Sequence, residues 1–112
     1  MAKLQCELKG NFSMILGHIE NAVLNGSQSA TKEDSSEFNI DNCRCAVRVY
    51  ERYSFLGGNR VSMNITLLQV GDRIKLSAIT AGGSQAMWYK MNTIGEEKFL
   101  DTIRETVEKY KA

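Results

Sequence analysis

Proline is absent from the 112 residues, although average usage of roughly 5% would place several in a chain of this length. Its absence lets strands and helices run without the commonest interrupter of regular backbone. A dominant charge is also missing. Fourteen Lys and Arg against thirteen Asp and Glu leave a net charge of +1, which excludes the global positive field of a dedicated nucleic-acid coat. No apolar run approaches the ~20 residues of a membrane span. The opening MAKLQCELKG lacks the apolar stretch of a signal peptide. Cysteines number three, and an odd count closes no disulfide framework. A reduced, cytoplasmic setting is therefore expected. No Walker, dinucleotide-binding or nucleophile-elbow motif occurs, and there is no internal repeat.

Hydrophobic residues at 43% and charged residues at 24% are ordinary for a soluble globular protein. The length suits one domain spanning residues 1–112. Leu4, Cys6 and Leu8 alternate with Lys3, Gln5 and Glu7, which predicts a half-buried strand. Asn11 is a good N-cap. Phe12, Ile15, Leu16, Ile19, Ala22 and Val23 then recur at helical spacing, and Asn25-Gly26 ends that helix. Ser27 to Phe38 alternates weakly and suits either an exposed edge strand or a loop. Asp41-Asn42 marks a turn.

Cys43 to Ser54 reads as a strand, with Cys43, Cys45, Val47 and Val49 facing inward and Arg44, Ala46, Arg48, Tyr50 and Arg52 outward. Val61, Met63, Ile65 and Leu67 form the next apolar face. Gly71-Asp72 is a two-residue hairpin signal, followed by Ile74, Leu76 and Ala78 at period two. That hairpin pairs Val70 with Arg73 and sets Leu67 against Leu76, Ile65 against Ala78 and Met63 against Thr80. An inward Val49 must meet Ile65 and an inward Val47 must meet Leu67. This predicts an odd-length loop of three or five residues within Phe55 to Asn59. Gln85 to Met91 reads as a last strand. Thr93 and Glu96 fit a capping box, opening a helix whose stripe is Phe99, Leu100, Ile103, Val107 and Tyr110.

The predicted fold is α+β, a two-layer sandwich. It has an antiparallel meander sheet in the order β-α-β-β-β-β-(β)-α, with two helices packed on one face. The topology resembles the TATA-binding-protein-like fold and the smaller helix-grip folds. Four segments carry a second, full-length resemblance: CELKG at Cys6 to Gly10, EDSSEF at Glu33 to Phe38, RCAVRVYERYSFLGGNRVS at Arg44 to Ser62, and SAITAGGSQA at Ser77 to Ala86. They resemble a family of small uncharacterised bacterial proteins, which implies no activity.

Four groupings carry chemistry. Cys43-x-Cys45 with Cys6 and His18 is the metal candidate, but zinc needs four converging ligands. His18 sits outside the helical stripe, and the cysteines read as core thiols slow to label; no metal and no cofactor is expected. Arg44, Arg48 and Arg52 interleave with Tyr50 on one face, a pattern that binds single-stranded nucleic acid. One aromatic and a net charge near zero argue against it. Tyr50, Leu68 and Ile79 share the outer face by these registers, which suits a protein contact such as a homodimer. Glu51 and Tyr53 continue the inward alternation. With Thr80 and Gln85 they would place a few polar groups at the end of an apolar layer, the usual form of a small-ligand site. A carboxylate at the rim would instead reach water. The leading expectation is a non-enzymatic small-ligand-binding or protein-interaction module. The alternatives are an enzyme using Glu51 as general acid or base with Tyr53, and a nucleic-acid binder using the arginine face.

Overall fold

The computed structural model describes residues 1–54, 59–82 and 89–112. Element order is β1 (Ala2–Leu8), α1 (Phe12–Asn25), β2 (Thr31–Ile40), β3 (Cys43–Ser54), β4 (Asn59–Val70), β5 (Arg73–Gly82) and α2 (Tyr89–Tyr110). The strands form one sheet in the order β1-β5-β4-β3-β2, antiparallel at every pairing. β2 to β5 make the meander, and β1 closes beside β5. Among the described residues no helix is long and apolar enough to cross a membrane.

The α+β sandwich follows from period matching. The stripe Phe12, Ile15, Leu16, Ile19 and Val23 of α1 is buried, as are Phe99, Leu100, Ile103 and Val107 of α2. They cover Val61, Met63, Ile65 and Leu67 on β4 and Ile74, Leu76 and Ala78 on β5, all buried. Each such side chain contributes about 1.5–3 kcal/mol when fully buried. Asn11 caps α1 as expected, its side chain accepting from the Met14 N–H at 2.9 Å. The Gly71-Asp72 hairpin has its predicted register, Val70 against Arg73 and Met63 against Thr80, with Gly71 at φ +61°. The ambiguous stretch after α1 is an edge strand, β2, exposed along its whole length.

Three expectations are corrected. The first concerns β3, which is turned over. Ala46 pairs with Leu67, Arg48 with Ile65 and Tyr50 with Met63, so these three face the helices and are buried. Cys43, Cys45, Val47, Val49, Glu51 and Tyr53 face the uncovered side. Ser54 pairs with Asn59, which leaves an even four residues between the strands, and residues 55–58 themselves lie outside the described set. An even connection shifts the pairing by one residue and exchanges the two faces of the strand. The second concerns the predicted last strand, Gln85 to Met91. Tyr89 to Met91 are helical, and Gln85 lies outside the described residues. The third follows from it, because Thr93 lies inside α2, which starts at Tyr89, and not at its N-terminus.

Gly26, at the end of α1, has φ −77° and needs no left-handed freedom. Its constraint is space. A Cβ there would lie 2.7 Å from the Ala22 carbonyl oxygen and 2.9 Å from Thr102 Cβ on α2. Gly17, midway along α1, would meet nothing within 4 Å. Gly26→Ala is expected to cost about 1–3 kcal/mol by overpacking. Gly17→Ala is expected to add about 1 kcal/mol by helix propensity. Urea melts of both variants check the opposite signs.

Candidate functional site

The inward turn of β3 brings charge under α1. Tyr50 has no exposed surface, and its hydroxyl donates to Glu20 Oε2 at 2.7 Å. Arg48 Nε lies 3.7 Å from the same oxygen. Arg48 Nη2 donates to Glu37 Oε2 at 2.8 Å, and Nη1 donates to the Val47 carbonyl at 3.1 Å. Lys32 Nζ reaches Glu20 Oε1 at 3.0 Å. Burial pushes the Glu20 carboxyl up, but the hydrogen bonds from Tyr50 and Lys32, with Arg48 nearby, outweigh it and hold it below the usual range. Burial, then Glu20, raise the Tyr50 phenol. Above and below this cluster the other two arginines of β3 lie over aromatic rings. Arg44 is 4.3 Å from the Phe12 centroid and Arg52 is 4.9 Å from that of Phe99. Cation–π contact and buried aliphatic stems let arginines line a helix-facing surface.

Among the described residues no helix covers the opposite face of the sheet. Strand pairing sorts its side chains into rows. Ile40, Cys43 and Val70 lie side by side, and Phe38, Cys45 and Leu68 form the next row. Relative exposures of 66% for Ile40, 52% for Phe38, 43% for Val70 and 38% for Leu68 make this end a contiguous apolar patch rather than scattered single residues. A hollow of about 320 Å³ beside it is lined by Leu68, Val70, Arg73 and Lys75. Farther along, Val49 and Ile79 flank Asn64. The far end is polar. Glu51 accepts from Arg60 Nε at 2.8 Å, and Glu33 Oε2 lies 3.8 Å from Arg60 Nη2.

The predicted site residues are therefore separated. Glu51 and Tyr53 face the open side, and Tyr53 is half exposed. Thr80 is buried on the helix side, where its hydroxyl donates to the Glu96 carbonyl at 3.0 Å. Gln85 is not among the described residues. A carboxylate and hydroxyl on opposite faces of one sheet cannot share a ligand, so the Glu51 cluster does not assemble. Tyr50 is likewise corrected: it is buried under α1 and lies on no interface face, whereas Leu68 and Ile79 do share the open side. Arg44, Arg48 and Arg52 face the helices, so the outer face is not an arginine surface. Cys6 faces the helices from β1, where burial raises its thiol. Cys43 and Cys45 face the open side, contrary to the core placement expected. His18 is exposed, as its position outside the stripe implied, and shares a hydrogen bond with the Tyr110 hydroxyl. Among the described residues no three His, Cys, Asp or Glu side chains converge.

Sequence reasoning missed Phe38 and Ile40, although they are the only large apolar residues of a polar strand, and it missed Glu20 as the partner that admits Tyr50. Residues 1–111 match a family of unknown function, DUF6054. No curated protein and no solved structure matches the chain.

The Glu20 cluster sets an acid limit on stability. A carboxyl held below its unfolded value contributes stability above that value and loses it as pH falls through the folded one. Glu20→Gln is expected to cost about 1–3 kcal/mol at neutral pH. The two proteins should converge only as pH falls through the depressed folded value of Glu20, below the ordinary carboxylate range, where both carry a neutral side chain. Urea melts at neutral and acidic pH read the difference.

Proposed function

As a member of that family of unknown function the chain inherits no activity, and we propose from its own geometry that it is a protein-interaction module. Its partner is a second copy of the chain, docked through the open sheet face. The observation that carries this reading is the exposed patch of Phe38, Ile40, Leu68 and Val70 on a sheet face that no helix among the described residues covers. Exposed apolar groups beside one another favour burial by association.

The sheet edge suits association less well. β2 carries Lys32, Glu33, Asp34 and Glu37 and shifts register between Lys32 and Asp34, which are devices that discourage edge pairing. The readings that place Glu51 in a catalytic pocket or three arginines on a nucleic-acid face lose their motive, because those residues point the other way.

Sedimentation velocity across a concentration series tests the proposal. A reversible dimer is expected, and Leu68→Lys should move it to monomer while the melting temperature stays within a few degrees of the parent. Cys43 and Cys45 should label quickly with a thiol reagent in dilute solution and more slowly as concentration rises. A chain that stays monomeric, or a dimer indifferent to Leu68→Lys, overturns the reading.

A further inference from the structure

We infer that the groove between α1 and α2, on the outer side of the helix layer, binds a small hydroxylated monocarboxylate of the sugar-acid class. This is independent of the open sheet face, which lies on the opposite surface of the molecule. The groove has a volume of about 540 Å³ and is lined by His18, Asn21 and Asn25 of α1 and by Thr106, Lys109 and Tyr110 of α2. That volume lies within the ~300–1,000 Å³ usual for small-molecule sites. The two helices run antiparallel, since His18 meets Tyr110 at one end and Gly26 lies against Thr102 at the other.

One end of the groove is walled by a pair of fixed rings. The His18 and Tyr110 rings stack with centroids 5.8 Å apart and planes at 29°, and His18 Nδ1 shares a hydrogen bond with the Tyr110 hydroxyl. Tyr110 is also held from behind. Its carbonyl accepts from the Lys9 N–H at 2.7 Å, and its ring lies against Gly10, where a Cβ would come within 3.4 Å of Tyr110 Cδ1. Gly10 has φ +141°, a conformation that glycine adopts without steric cost. Rings already held in place lose little freedom when a ligand arrives.

The other polar groups of the groove are uncommitted. Among the described residues Lys109 makes no ion pair, and the side chains of Asn21, Asn25 and Thr106 make no hydrogen bond. No described carboxylate lines the groove. Of the neighbouring acids on α2, Glu108 is paired with Lys111 at 2.7 Å, and Glu105 stands one turn from Lys109 without an ion pair to it. One ammonium and no acid select a negatively charged ligand. The charge is single, because the last turns of both helices border the groove, and helix C-termini carry partial negative charge. Phosphate, a dianion that favours helix N-termini, fits these ends poorly. Amides both donate and accept, so Asn21 and Asn25, with the Thr106 hydroxyl, suit the hydroxyl groups of the ligand, and Lys109 its carboxylate.

His18 is the single histidine of the chain, so its imidazole C–H proton resonances report on the groove directly. Titration with glucuronate at fixed pH is expected to shift them saturably. Lys109→Gln, and glucuronamide in place of glucuronate, should each weaken binding by about tenfold or more, the usual effect of losing a charge-assisted hydrogen bond. Asn21→Ala should weaken it by about threefold or more. Lys75→Gln, on the open side of the sheet, should change it less than about twofold. Glucuronamide reads the loss of charge on the unmodified chain if a variant fails to fold. No saturable shift with glucuronate or gluconate at tens of millimolar overturns the site. Lys75→Gln weakening binding as much as Lys109→Gln overturns its location. Glucuronamide or inorganic phosphate binding as tightly as glucuronate overturns the sugar-acid class.

Discussion

Pairing of β3 with β4 decides which chemistry of this chain is buried and which is presented. Tyr50 lies opposite Met63 and Arg48 opposite Ile65, and a slip of one residue would invert every side chain of the strand. The observed register buries a tyrosine whose hydroxyl is satisfied by Glu20 at 2.7 Å. The inverted register would bury Cys43, Cys45, Val47 and Val49, four apolar groups, but would carry Glu51 inward with them. A carboxylate under the helices without a cation costs more than the methyl groups return.

Helix α1 takes part in this choice. Its apolar stripe would pack on either face of β3, but Glu20, beside Ile19 on the flank of the stripe, accepts only the face that carries Tyr50 and Arg48. Phe12 and Phe99 supply ring faces for Arg44 and Arg52. Polar side chains thus fill much of the helix side of β3, and its apolar set is displaced to the open side. There it joins Phe38, Ile40, Leu68 and Val70. The exposed patch is the counterpart of turning the arginines of β3 inward.

Most other ion pairs here, such as Arg73 with Glu7 and Arg104 with Asp101, are exposed at both ends and contribute little. The Glu20 cluster differs because Tyr50 has no exposed surface and Arg48 little. A donor left there without its acceptor has no water to turn to.

Periodicity alone was enough for the element types of β1, α1, β4 and β5, the core residues they bury, and the Gly71-Asp72 register, because each has one strongly apolar face and a local turn that sets its pairing. The α+β order followed from the same patterns. The facing of β3 was not legible, because both of its faces are half apolar and its pairing depends on the parity of a connection that composition does not reveal. Alternation alone therefore assigns Cys43 and Cys45 to the core and Glu51 to a pocket. The start of α2 is not legible because Thr93 and Glu96 imitate a cap within a longer helix. The choice between the two faces of β3 belongs to tertiary structure, since it was made by Glu20, Phe12 and Phe99, residues distant in sequence that only packing brings to the strand.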